Sequence, residues 1–316
     1  MRILLVVDGS SYSDTATRTL ELLKLPTETE VTVMTVVPEH TFLGGISLDM
    51  LRGTAPAEKK AEEEKAVKLL SGPVQLLSAV GLSAEGLVRR GNPAEVILKV
   101  AGQKSSSLVV MGAKGLTDPL PFRLGSVAQS VARHATASVL LARPKTLTIH
   151  RASSSRDKSL LIDRVLFATD GSQYSDVAAQ FLLDLPLPSW TQVMVLTALQ
   201  SHTASLLKVP TLDFETNQRL LADLQAAEEK EARKLLDRAR QEFQNHGYKT
   251  TSVVVRGGAS ECILETAQEH DSDIIALGYR GLTGIESFIL GSVSERVARY
   301  APCSVLIVRP EKPRKH

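Results

Sequence analysis

Cysteine is almost missing from this 316-residue chain, with only Cys262 and Cys303 present. That excludes a disulfide scaffold or a four-thiolate metal site and fits a reducing compartment. Aromatic residues are scarce, at 4%. No sign of charge dominates: 37 Lys+Arg against 35 Asp+Glu leave a formal net charge of +2. No single-sign field is therefore available to hold nucleic acid or an anionic membrane. No apolar run approaches the ~20 residues that cross a bilayer, and the apolar stretch between Arg2 and Asp8 is too short for a signal-peptide core. The seven histidines stand at no metal-ligand spacing. Neither G-x-x-x-x-G-K-[ST] nor G-x-G-x-x-G occurs, which argues against a P-loop nucleoside triphosphatase and a dinucleotide fold. These absences predict a soluble cytoplasmic protein that engages neither nucleic acid nor membrane. Against them stand 43% hydrophobic and 23% charged residues, ordinary values for a globular chain. The length suggests two domains at ~100–200 residues each.

The chain repeats itself. Residues 3–14 read ILLVVDGSSYSD and residues 165–176 read VLFATDGSQYSD, an offset of 162. From 112–144 to 278–310 the offset is 166, and 18 of the 33 aligned positions are identical. The difference, 166 minus 162, places a four-residue insertion between the end of the second strand and Gly91/Gly257, where a surface loop is expected.

Each copy alternates short β-branched runs with longer helical patterns, the signature of βαβ units. Strands are expected at 3–7, 31–37, 85–90, 108–111 and 138–142, and again at 165–169, 192–199, 251–256, 274–277 and 304–308. Helices are expected near 13–23, 58–70, 93–102 and 126–133, with counterparts near 175–183, 217–246, 260–269 and 292–300. The fold class is α/β, two tandem doubly wound five-stranded parallel sheets joined by right-handed crossovers. Residues 1–146 and 163–310 form the two domains, 147–162 a linker, and 311–316 a basic tail.

In open parallel sheets, ligands bind beyond the carboxyl ends of the strands. There the first strands run into Asp8-Gly9-Ser10 and Asp170-Gly171-Ser172. The fourth strands run into Gly112-Ala113-Lys114-Gly115 and Gly278-Tyr279-Arg280-Gly281, and nine residues later come Gly125-Ser126 and Gly291-Ser292. Both copies satisfy G-x2-G-x9-G-[ST], a spacing suited to phosphate. Glycine lets backbone approach an anion, and a helix N-terminus presents unpaired N–H groups with partial positive charge. Ser126 and Ser292 would add hydroxyls, and Lys114 and Arg280 full charges. Asp8 and Asp170 would bind a base or ribose, or hold a bridging cation. Taken alone, each feature is more often a turn, a packing device or a helix cap; their recurrence at one edge, twice, favours binding. Cys262 and Cys303 align with Val96 and Ala137 and read as buried small hydrophobes. The runs AEKKAEEEK and AAEEKEARK read as solvated helix faces.

These segments resemble the universal stress protein family, specifically its tandem two-domain members. The resemblance rests on VVDGS and ATDGS with YSD, GNPAEVIL and GGASECIL, MGAKGLT and LGYRGLT, and GSVAQSVARHATASVLLARP with GSVSERVARYAPCSVLIVRP. It implies a domain that holds ATP, or AMP or ADP, with a divalent ion such as Mg or Mn. Carried over by position, Asp8 with Val36, and Asp170 with Ala198, would face the adenosine. Gly112, Lys114 and Gly115, and Gly278, Arg280 and Gly281, would meet ribose and phosphates. Gly125, Ser126 and Val127, and Gly291, Ser292 and Val293, would cradle the phosphates. The resemblance further implies that the fifth strands pair, here within one molecule as a pseudo-dimer, with a homodimer of chains left open.

The copies depart from each other at Pro119 and Pro121, facing Ile285 and Ser287, and at Ala128, where Ser294 would offer a further hydroxyl. A tighter second site is expected from these differences. The leading expectation is an ATP-binding stress-response regulator acting through nucleotide-dependent conformation or partner binding, not an enzyme, since no positioned base, nucleophile or arginine finger can be named. A slow ATP-hydrolysing or adenylyl-transferring enzyme and an interaction module with vestigial sites are the alternatives.

Overall fold

The structure is a computed structural model, and it describes residues 1–39, 56–116, 124–144, 162–199, 214–282 and 290–311. Pro119 and Pro121 with their counterparts, nearly all of the expected linker, and residues 312–316 of the tail lie outside the described residues.

The strands are β1 (Arg2–Val6), β2 (Glu30–Pro38), β3 (Ser83–Gly91), β4 (Leu108–Gly112) and β5 (Ser138–Ala142), then β6 (Arg164–Ala168), β7 (Gln192–Leu199), β8 (Lys249–Arg256), β9 (Ile274–Gly278) and β10 (Ser304–Val308). The helices are α1 (Ser11–Leu22), α2 (Pro56–Ala79), α3 (Pro93–Gln103), α4 (Ser126–His134), α5 (Gln173–Asp184), α6 (Phe214–Asn245), α7 (Ala259–Glu269) and α8 (Ser292–Tyr300). None of the described helices is long and apolar enough to cross a membrane.

The ten strands of the described residues join one sheet in the order β3-β2-β1-β4-β5-β10-β9-β6-β7-β8. Within each half the pairs are parallel. The central pair β5–β10 is antiparallel, with Leu140 opposite Leu306. The expected pairing of fifth strands is therefore present, and 140 and 306 are matching positions of the repeat. Two backbone-to-hydroxyl bonds flank the pair symmetrically: Arg143 N–H donates to Ser304 Oγ at 3.1 Å and Arg309 N–H to Ser138 Oγ at 3.1 Å.

Helices cover both faces, so the inner strands are apolar without alternation: β4, β5, β9 and β10 are buried along their whole length. Successive residues of one strand point to opposite layers. Ile3 and Leu5 pack with Leu20, Leu77, Leu182 and Phe243 on one face. Leu4 packs with Ile97, Val131, Ile263 and Val297 on the other. Each layer takes residues from both halves, so the two copies share their cores. Ile162, assigned to the linker from sequence, is buried in the first layer, 4% exposed.

Two expectations are corrected. The second helix, expected near 58–70, continues through Pro73 to Ala79 as α2. Proline removes one i→i−4 bond, but Leu70 and Leu77, two turns apart and both buried, anchor the helix on each side of it. The length difference between copies falls before Gly91 and Gly257 as expected, but the helix carries it rather than a loop alone: α6 has 32 residues against 24 in α2. The charged runs on these helices are solvated, with Arg233–Glu229 and Lys234–Glu231 pairs at 2.7 Å each.

Candidate functional site

Strand order places the site. In each half the chain winds outward from β1 to β3, or β6 to β8, then returns to the other side of β1 or β6 with β4 or β9. The reversal opens a crevice between those strands at their carboxyl ends. Val6 lies opposite both Met34 and Met111, so Asp8, two residues on, comes level with Val36. Ala168 lies opposite Leu196, which sets Asp170 level with Ala198.

Each aspartate organises the turn after the first strand and abuts the loop after the fourth, and Asp170 is bonded to both. Asp8 Oδ1 accepts from Ser10 N–H at 3.0 Å and Ser10 Oγ at 2.6 Å, while Oδ2 stands 2.9 Å from where a Cβ on Gly115 would sit. Asp170 Oδ1 accepts from Ser172 N–H at 3.0 Å and Oδ2 from Leu282 N–H at 2.9 Å. A Cβ on Gly281 would collide with that carboxylate. Gly9 and Gly171, at φ +80° and +75°, make the turn that an L side chain resists.

Gly112 and Gly278 have a different reason to be glycine. A Cβ at Gly112 would lie 2.7 Å from Tyr12 Cβ, and one at Gly278 would lie 2.8 Å from the Tyr174 carbonyl oxygen. The starts of α1 and α5 press on these strands, so packing alone requires both residues. Lys114 and Arg280, expected to meet ribose and phosphates, are each only 7% exposed. The stem of Arg280 crosses Gly291, where a Cβ would be 3.3 Å from its Cα, and its guanidinium lies 5.3 Å from the Tyr279 ring centre.

The helix starts complete the site. Gly125 and Gly291 are themselves the N-caps of α4 and α8, and neither makes a side-chain cap bond. By contrast Ser10 and Ser172 cap α1 and α5 through their hydroxyls. The first amides of α4 and α8 thus lack a side-chain acceptor, the arrangement that suits an anion. Gly125 N–H donates to Ala113 O and Gly291 N–H to Tyr279 O, 2.8 Å each, which fixes the helix starts against the fourth-strand loops. Ser126 and Ser292 are exposed first helical residues, and Val127 and Val293 are half-buried behind them. Ser294 is otherwise placed than expected. It is 3% exposed and its hydroxyl donates to Gly278 O at 2.8 Å, so in this geometry that proton serves the protein and not a phosphate.

Both cysteines are buried, and burial pushes the Cys262 thiol up, away from reactive thiolate. Among the described residues no cluster of three or more His, Cys, Asp or Glu could hold a metal. An open groove of about 480 Å³, lined by Leu264, Ser292, Glu295, Arg296, Arg299 and Tyr300, leads away from the second helix start.

Sequence reasoning missed Arg143 and Arg309, which close each fifth strand. Arg309 Nη2 donates to Ala132 O at 2.9 Å and Arg133 O at 3.1 Å, and Arg143 Nη2 donates to Ala298 O at 2.7 Å. Arg309 therefore caps α4 of the first half and Arg143 caps α8 of the second. The Arg-Pro pair retained at the end of both copies was the available signal.

One sequence family, described as the universal stress protein family, matches twice, over residues 1–143 and 162–309. The chain belongs to that family. A Staphylococcus saprophyticus universal stress protein is 29% identical over 150 residues, 47% of this chain and 84% of that one. Among solved structures, an Archaeoglobus fulgidus universal stress protein covers 98% of both chains at 22% identity with a TM-score of 0.61. A Pseudomonas aeruginosa universal stress protein covers 98% of this chain and 93% of its own at 16% identity, TM-score 0.57. These likenesses support the tandem fold, one doubly wound unit per copy.

Proposed function

We propose that each half of this universal stress protein binds an adenine nucleotide, ATP foremost, and that occupancy acts on shape or partner surface in a cytoplasmic stress response. The observation that carries this reading is the uncapped helix start at Gly125 and Gly291, fixed beside the aspartate–glycine junction at the strand-order reversal. An anion placed there meets unpaired N–H groups and the positive end of the helix dipole. In this reading Asp8 and Asp170 meet the adenosine end with Val36 and Ala198, Gly115 and Gly281 admit the ribose, and Ser126–Val127 and Ser292–Val293 receive phosphate. The preference for adenine rests on family membership, not on a base-reading side chain.

The donor set suits a divalent ion only weakly by itself. Among the described residues each half offers one carboxylate, already engaged by a backbone amide. A Mg or Mn ion would take most of its ligands from phosphate and water, as Mg commonly does. Among the described residues the cradle consists of glycines, serines, valines, one cation and one hydrogen-bonded carboxylate. Such a set binds and orients; it supplies no base matched to a nucleophile. This supports a regulatory role over catalysis.

Mass spectrometry of gently purified protein, followed by calorimetric titration with ATP-Mg and GTP-Mg, tests the reading. Retained or titratable ATP is expected. Equal affinity for GTP removes the adenine preference, turnover to ADP establishes the enzyme reading, and no binding of either nucleotide overturns the proposal.

A further inference from the structure

The two arginine caps are related by the repeat, but their surroundings are not. A cation against the last carbonyls of a helix complements its partial negative charge. Because α4 and α8 have only nine residues, about 14 Å at 1.5 Å per residue, fixing one end of such a helix also places the other. Arg309 holds the end of α4 and also lies over the Tyr279 ring, 4.6 Å from its centre. Tyr279 belongs to the second half's Gly278–Gly281 loop, and the Arg280 guanidinium stands 5.3 Å from the same ring. One ring therefore serves two cations, one at the second cradle and one on the first half's helix. In the first half the matching residue is Ala113, which has no ring to share.

We propose that Tyr279 and Arg309 couple the two sites, so that filling the second cradle tightens the hold on α4 and pre-orders the first. The inference rests on the nucleotide reading above. An anion beside Arg280 offsets the charge that opposes Arg309 across the ring. Arg309 then holds both the ring face and the α4 carbonyls more strongly. Burial already pushes the Arg309 guanidinium down to about 10, Tyr279 opposes that shift, and Arg280 adds to it. Linkage makes the effect reciprocal, so filling the first site tightens the second by the same factor.

The test uses full-length Gly125→Asp, in which only the second site can fill. Gly125 has φ −65° and ψ 152°, open to any residue, and aspartate is a good N-cap, so α4 persists while its carboxylate repels phosphate. With ATP-Mg bound at the second site, hydrogen exchange at residues 131–135 is expected to slow by about fivefold or more. Adding Tyr279→Ala, which copies the first half, should leave ATP bound by calorimetry but erase the slowing. Should that variant bind no ATP, Tyr279→Leu keeps the apolar bulk without the ring and carries the same expectation. Bound ATP without slowing in Gly125→Asp overturns the coupling, as does slowing that survives loss of the ring. No binding of ATP in Gly125→Asp or in the unaltered chain overturns the nucleotide reading and the coupling with it.

Discussion

The two halves of the molecule keep the same glycines and aspartates but differ in what surrounds them. The shared positions are those that backbone geometry dictates: Gly112 and Gly278 against the starts of α1 and α5, Gly115 and Gly281 against a carboxylate. Several differing positions line the path between halves. Ala113 stands where the second half has Tyr279 and Gln129 where it has Glu295, and Glu295 forms an ion pair with Arg133 of the other half, which Gln129 cannot do. The comparison teaches that duplication preserved the frame of each site and left the junction between sites free to become asymmetric.

The strongest way to break the comparison is to separate the halves. Val139 and Val305 are matching residues of β5 and β10, both 0% exposed. An aspartate at either place buries an unpaired charge, which costs several kcal/mol from a total stability of about 5–15 kcal/mol. Because the sheet and both core layers are continuous, each variant should disturb both halves, seen as chemical-shift changes throughout the chain and a much lower melting midpoint. Damage confined to the altered half would mean that the copies fold independently.

Next in size are the packing glycines. Gly112→Ala and Gly278→Ala should each cost about 1–3 kcal/mol, because the obstructing atoms are the Cβ and backbone of the neighbouring tyrosine, which cannot swing aside. Chemical denaturation of the two variants checks this. A variant of unchanged stability with lost nucleotide binding would instead make that glycine a ligand-facing residue.

These glycines also mark how far sequence carried. Periodicity placed the ten strands and eight helices of the described residues within a few positions, apart from the far end of α2, because strands covered on both faces leave unbroken apolar runs. That the motifs meet at one edge of the sheet was legible too, since the alternation of elements implies a doubly wound order and the motif recurs at matched spacing. The purpose of individual residues was not. Nothing local distinguishes a glycine that admits phosphate from one that admits Tyr12, or shows that Ser294 turns its hydroxyl to Gly278. The partners of Arg143 and Arg309 lie more than 150 residues away in the chain, beyond any spacing rule.

The ranking of the two sites offers a finer comparison. Neither ground for expecting a tighter second site carries over: the Ser294 hydroxyl is engaged by Gly278 O, and the loop prolines lie outside the described residues. The structure offers a different basis for the same ranking. That basis is Arg280 in place of Lys114: a guanidinium meets phosphate through two parallel bonds, an ammonium as a point charge. Arg280→Lys should then weaken the second site about tenfold, toward the first, a difference of about 1.4 kcal/mol. Calorimetry resolving two affinities decides it, and an unchanged second affinity removes the ranking.

The smallest expected effect is an ion pair that only the first half has. Lys104 Nζ lies 2.6 Å from Glu85 Oε1, and the matching residues are His270 and Thr251. The hydrogen bond and charge of Lys104 hold the Glu85 carboxyl below its ordinary value, with Thr32 helping at 3.2 Å. A carboxylate whose folded pKa is depressed adds stability that is present above the unfolded value and is lost as pH falls through the folded one. Lys104→Met should therefore raise the Glu85 pKa, lower stability at neutral pH, and change nothing in acid, once Glu85 is protonated in the folded and unfolded chain alike. The side chains are 46% and 63% exposed, so solvent screens the pair and the loss should stay under about 1 kcal/mol. It should shrink further in high salt. Side-chain carboxyl titration by NMR, with denaturation at both pH values, measures each part. A loss that persists at low pH would trace to the methylenes of Lys104 packing at the end of α3 and not to its charge.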